Sequence, residues 1–277
     1  MTTYLSGPGK IDGMQIPVFH LNVFPYRPGS GNPAGVCILD HWLDDESLRR
    51  VAAENNLSAT AFMMPNEAKG YAIRWFSVRC ELQLCGHATF ASGYVMLKLL
   101  RPDLDQVSFE TRLKGTVTVR KDGDLLAMDF PALAPQPCRH PPALLTEGLG
   151  AAPEAVLEAN SVYFAVFADQ GALENIRPNS ALLERLHPYA VCATAPGNAT
   201  DYVLRYFAPG YGLPEDPVTG SAHCALVPYW SGQLAKSRLH VRQLSLRGGE
   251  LWTEMAGDRV LLKGKAELTF RGELEIR

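Results

Sequence analysis

Two hexapeptides decide the fold: Tyr-Ala-Ile-Arg-Trp-Phe at 71–76 and Tyr-Val-Leu-Arg-Tyr-Phe at 202–207. Both are strand-like, rich in aromatic and apolar residues, and both carry an arginine at the fourth place. After each comes a loop, and then a glycine that opens a helical stretch. The passages read ELQLCGHATF at 81–90 and LPEDPVTGSAHC at 213–224, so Gly86-His87-Ala88 matches Gly220-Ser221-Ala222. HATFASGYVMLKLL (87–100) is apolar around most of its circumference, which predicts a buried helix. The same strand, loop and helix recur, and that is an internal repeat.

Working outward, the elements on either side fall into the same order. Strands are expected at 15–24 and 33–39, a helix at 44–56 with acids in its first turn, and strands at AFMMP and YAIRWFSV. SFETR, GTVTVRK and LLAMDF continue as a meander with the turn KDGD. The Pro-rich segment 131–142 then breaks the pattern and marks a crossing between halves. Beyond it come a strand (SVYFAVFA), a helix (NSALLERLH), a strand (YVLRYFA) and a helix (220–234). HVRQLSLR, ELWTEM, RVLLKG and AELTFR close the chain. The resulting division is a flexible leader at 1–13, an N-terminal half at 14–130 and a C-terminal half at 131–277.

The expected fold is α+β, with two pseudo-symmetric halves. Each half would be a curved, mostly antiparallel sheet wrapped around a central helix, the two helix N-termini facing each other across a cleft. Unpaired N–H groups and the macrodipole make such termini anion sites, so a small carboxylate is the expected ligand.

Composition narrows the function classes. A net charge of −3 supplies neither a basic field for nucleic acid nor an acidic tail. Apolar runs end well short of the ~20 residues a membrane span requires. Six cysteines without a secretory leader point to reduced thiols and a cytoplasmic protein.

Several residues could do chemistry. Cys85 precedes a helix start, where a thiol pKa falls and the thiolate becomes usable as a base. A two-thiol racemase would need a partner in the other half, but the equivalent place holds Thr219, or with loop slippage Pro217 or Val218, none of them a thiol. Cys224 lies a turn inside the helix. Cys80, Cys85, His87, His223 and Cys224 match no usual metal-ligand spacing, so no metal is expected. Ser221 and His223 lack the nucleophile elbow of a hydrolase and do not share a helix face. His87, at a helix start, is favoured in its neutral form and can donate to or accept from a polar ligand. Asp216, beside Glu215, is either a helix-capping or solvated loop residue or a functional carboxylate. Thr219, Gly220 and Ser221 suit an anion cradle.

GNPAGVCIL (31–39), NLSATAF (56–62), RWFS…ELQLCGHATFAS (74–92), MDFPA (128–132), RYFAPGYGLPEDPVTGSAHCALVPYW (205–230) and RQLSLRGGEL (242–251) together resemble the phenazine-biosynthesis PhzF-like isomerase family. The resemblance runs from about residue 15 to the C-terminus. It implies the diaminopimelate epimerase fold, a homodimer, no metal and no organic cofactor. It also implies cofactor-independent proton transfer on a small cyclic amino or hydroxy carboxylic acid; the family's best-understood member isomerises dihydro-hydroxyanthranilate. Carried over, His87 is the active-site histidine, with Gly86 beside it, and Asp216 is the aspartate of the second half. Gly220 and Ser221 become substrate-binding groups, joined by Ser58, Cys85 and Thr219. Ala59 stands where the family motif Asn-Leu-Ser-Glu-Thr places its acid/base glutamate, and Asn22 where an aspartate is frequent. Three readings stay open. Asp216, His87 or Cys85 carries the proton instead; the fold persists as a catalytically impaired small-carboxylate binding or regulatory protein; or the alanine was introduced into the chain.

Overall fold

A computed structural model of the chain describes residues 14–66, 70–113 and 115–276. The expected leader at 1–13 lies outside the described residues. Two compact units emerge. One comprises the described residues up to Val23, Pro33–Leu126 and the described residues from Ala266 on; the other comprises Phe24–Asn32 and Ala127–Lys265. The sequence suggested a single cut near residue 130, whereas both units are discontinuous.

In chain order the first elements are β1 (Met14–Val23), β2 (Asn32–Ile38), α1 (Asp45–Asn55), β3 (Ala59–Asn66) and β4 (Gly70–Phe76). Then come β5 (Glu81–Leu82), α2 (Gly86–Tyr94), β6 (Gln106–Thr111), β7 (Thr116–Asp122) and β8 (Leu125–Pro131). Helix α1 starts where Asp44 caps it, a carboxylate oxygen accepting from the Ser47 N–H at 2.8 Å. It stops at Asn56, which takes the left-handed conformation (φ +48°) and donates back to the Ala52 and Ala53 carbonyls. Leu48, Val51 and Ala52 face inward, against Ile16, Cys37, Leu39, Phe62 and Phe76. Helix α1 is the crossover that makes β2 and β3 parallel, and β3 then pairs antiparallel with β4.

Helix α2 is the second crossover, between the parallel strands β4 and β6. Ala88 through Gly93 are all buried, as befits a helix enclosed by a sheet that curves around it. The helix packs on β1, β3, β6 and β7. Small residues permit the approach: a Cβ added at Gly93 would overlap the Val119 side chain on β7. Val95–Leu100 prolongs the helix with wider π turns, and Arg101 N–H reaches the Met96 carbonyl five residues back.

The second unit repeats the plan. Its elements are β9 (Gln136–Pro137), α3 (Ala143–Leu149), β10 (Ala155–Ala159), β11 (Val162–Val166), α4 (Gln170–Glu174), α5 (Ser180–Glu184) and β12 (Ala190–Pro196). They continue with β13 (Tyr202–Phe207), α6 (His223–Leu234), β14 (Arg238–Gln243), β15 (Gly249–Ala256), β16 (Arg259–Gly264) and β17 (Ala266–Ile276). As in the first unit, one helical crossover makes a parallel pair (β11 with β12) and an antiparallel pair follows (β12 with β13). Helix α6 then makes the second parallel pair, β13 with β14. Leu145, Leu149, Phe167, Leu173, Val203 and Phe207 anchor this core. The fold is α+β, as the repeat predicted.

Two features depart from the simple pattern. The last strand, β17, follows the second unit in sequence but lies in the first; it runs antiparallel along β1, His20 opposite Phe270. And α6 carries Pro228 in its interior, which leaves the Cys224 carbonyl four residues earlier without its helical donor. The Leu133 N–H supplies one at 2.8 Å.

Candidate functional site

The repeat builds two matching helix entrances. In the first, Arg74 on β4 grips Glu81 through two N–H···O bonds of 2.7 and 2.8 Å. In the second, Arg205 on β13 grips Glu215 at 2.8 and 3.0 Å. Each guanidinium also lies over the phenylalanine two residues on, 5.1 Å from the ring centre of Phe76 or Phe207. The shared arginine of the hexapeptides thus ties a strand to the loop entering the helix. Glu215 is committed to that tie. The N-cap residues correspond too: Cys85 (φ −139°, ψ 99°) and Thr219 (φ −113°, ψ 95°) are both extended, and neither side chain caps its helix. The first-turn N–H groups after them therefore lack a side-chain cap, the condition for anion binding.

In the first unit, Cys85 is buried and its Sγ lies 3.5 Å from His87 Nδ1. Burial of the imidazole lowers the pKa of His87 to about 4. At neutral pH the ring is uncharged, able to donate at one nitrogen and accept at the other. Ser58 is partly buried just before β3. Ala59 opens that strand beside Ala34 and is fully buried.

In the second unit, Asp216 is buried in a polar network. Asn32 Nδ2 donates to its Oδ1 at 2.8 Å, and Thr219 Oγ1 donates to its Oδ2 at 2.6 Å. Gln243 Nε2 donates to the Asp216 carbonyl at 2.7 Å, while Gln243 Oε1 accepts from the Thr219 N–H at 2.8 Å. Burial raises the Asp216 carboxyl to about 6, against the two side-chain donors, which pull it down. A carboxyl that titrates near neutrality can take up and release a proton under ordinary conditions. Thr219, expected as a ligand group, has both its hydroxyl and its N–H spent within this network. Gly220 and Ser221 form the short 3-10 turn that leads into α6, and Ser221 is exposed on a hollow of about 170 Å³ also lined by Tyr206 and Tyr211.

Asn32 and Gln243 were not among the residues picked out from the sequence, although both lie in quoted motifs, GNPAGVCIL and RQLSLRGGEL. His223, considered there as a metal ligand or hydrolase residue, is fully buried with Nδ1 2.6 Å from the Tyr202 hydroxyl. Among the described residues no group of three His, Cys, Asp or Glu side chains could hold a metal ion.

Residues 21–272 match the sequence model of phenazine biosynthesis-like proteins. The chain belongs to that family. An uncharacterised isomerase of Pseudomonas aeruginosa is 43% identical over 263 residues, which are 95% of this chain and 100% of that protein. A phenazine biosynthesis protein of the PhzF family from Enterococcus faecalis superposes with a TM-score of 0.89 at 34% identity, covering 94% of this chain and 99% of the other. More distantly, a hydroxyproline epimerase from Agrobacterium vitis, solved with trans-4-hydroxy-L-proline, shares the fold at a TM-score of 0.54 and 9% identity, covering 94% and 92%. The PhzF-like resemblance and the epimerase-type fold read from the sequence are those of the molecule. No helix among the described residues is long and apolar enough to cross a membrane.

Proposed function

We propose that the chain is a cofactor-independent isomerase or epimerase that moves a proton within a small cyclic amino or hydroxy carboxylic acid, with Asp216 as the proton-carrying group. The observation that carries this reading is the state of Asp216: buried, held at each oxygen by a side-chain donor, and titrating at about 6. Such a group is matched to acid/base work near pH 7. The uncapped helix starts at Gly86 and Gly220 each serve as an anion-binding element of their own unit, and neutral His87 supplies a polar donor or acceptor beside the first. Ala59 takes no part in proton transfer, since a methyl group has no proton to exchange. The family resemblance implies a homodimer working without metal or organic cofactor, and six free cysteines favour a cytoplasmic protein.

The test is solvent-deuterium incorporation into a panel of cyclic amino and hydroxy acids. Exchange should fall ~10²–10⁴-fold in Asp216→Asn and measurably in His87→Ala. Exchange unchanged in both variants removes their assigned roles. A second reading draws on the fully buried Ala59 at the place the resemblance assigns to a glutamate: a small-carboxylate binding protein without turnover. Ligand-induced thermal stabilisation with no exchange at all would favour it.

A further inference from the structure

Asn32 is fully buried and lies 184 positions away from the aspartate it touches. Its Nδ2 makes two bonds, to Asp216 Oδ1 at 2.8 Å and to the Val218 carbonyl at 2.7 Å. An ionised carboxylate and a carbonyl can only accept, so the amide has one orientation with both protons committed. Its Oδ1 is buried without a protein partner. Such an orphan lowers stability, so packing alone is a poor reason for an asparagine here. Across the carboxylate, Thr219 Oγ1 donates to Oδ2 at 2.6 Å and is approached in turn by Gln243 Nε2 at 3.3 Å. Gln243 is fixed by its own pair of bonds to the Thr219 N–H and the Asp216 carbonyl. Donation therefore runs inward from both sides and ends on the two oxygens of one buried carboxylate. The other titratable groups beside it are already engaged or uncharged. Glu215 is gripped by Arg205, and Tyr206 accepts the Asp216 N–H at its carbonyl while burial pushes its phenol above the ordinary range.

We infer that Asn32 is a positioning residue for Asp216: its locked amide fixes the plane of the carboxylate from one side, as Thr219 backed by Gln243 does from the other. The inference deepens the proposed function and takes its catalytic meaning from it, but its test needs no substrate. Without Asn32 the anion loses one charge-assisted donor, so the carboxyl should hold its proton to higher pH. The same loss frees the carboxylate to rotate, which a merely structural asparagine would not cause.

The experiment is an NMR titration of protein labelled with ¹³C and ¹⁵N. In the wild-type chain the Asn32 side-chain amide should shift with the same midpoint as the Asp216 carboxyl carbon; an amide that stays flat through that titration overturns the inference. Asn32→Ser and Asn32→Ala should each raise the Asp216 midpoint by about one unit, a roughly tenfold fall in the ratio of anion to acid at fixed pH. An unchanged midpoint in either variant, with native circular dichroism, also overturns it. Thr219→Ser, which keeps the hydroxyl, should preserve the midpoint that Thr219→Val raises; equal behaviour of the two would contradict the two-sided clamp. Linked titration of Asn32 and Asp216 in a protein that exchanges no cyclic acid would uphold the positioning while the proposed function fails.

Discussion

Replacing Asp216 with asparagine should make the protein more stable at neutral pH, and the structure sets the size of the gain. The folded carboxyl titrates at about 6, against 3.8 for an ordinary aspartate. That gap of about two units is worth about 3 kcal/mol at 1.36 kcal/mol per unit. The sign follows from where the proton is held more tightly. Folding raises this pKa, so the contribution of Asp216 to stability is complete below pH 3.8 and is lost as pH rises through 6. At pH 7.5 the buried charge is a liability that burial imposes and the Asn32 and Thr219 donors only partly offset. The substituted amide keeps an oxygen for Asn32 Nδ2 and presents its NH₂ to the Thr219 hydroxyl, which can accept. Urea unfolding of both proteins at pH 7.5 and at pH 4 reads the effect. The variant should exceed the parent by about 3 kcal/mol at pH 7.5, and most of the difference should vanish at pH 4. His87 and every other titrating group are common to both chains and cancel. A stability difference that does not change with pH, or a variant weaker than the parent at pH 7.5, refutes the picture of a strained buried anion.

Two further substitutions probe the frame around the site. Arg205 has a side chain only 12% exposed, so Glu215→Gln should lower stability by about 1–3 kcal/mol and melting by several degrees. Asp103→Asn at the exposed Arg101 pair should leave melting unchanged, and equal effects at the two pairs would contradict the assigned tie. Gly93→Ala should cost about 1–3 kcal/mol in urea unfolding, because the new Cβ must displace Val119; a neutral result would mean that α2 can shift off β7 at little cost.

Much of the fold was legible because the duplicated hexapeptides carry a strand pattern and an arginine in matching places. The partners of those arginines were not legible. Glu81 lies seven residues after Arg74, and Glu215 lies ten after Arg205, so no fixed spacing announces the tie. Asp216 was picked out by its place before a helix, yet what raises its pKa is burial, which local sequence does not report. Asn32 was hidden for a similar reason: its contact with Asp216 closes a loop of 184 residues. Thr219 was recognised at the helix entrance but assigned outward, because only folding turns its hydroxyl back onto the aspartate. The strand near the C-terminus was foreseen as a strand, but not its partner, since AELTFR carries no mark of which edge it will join.

That partner has a consequence for how the molecule is made. A chain emerging in order from its N-terminus releases β1 hundreds of residues before β17, the strand that runs along it. The second unit, lying between them in sequence, can assemble while β1 still lacks that neighbour. During synthesis the older half must therefore wait for the younger, and the exposed edge of β1 is the interval's chief hazard for pairing with another chain.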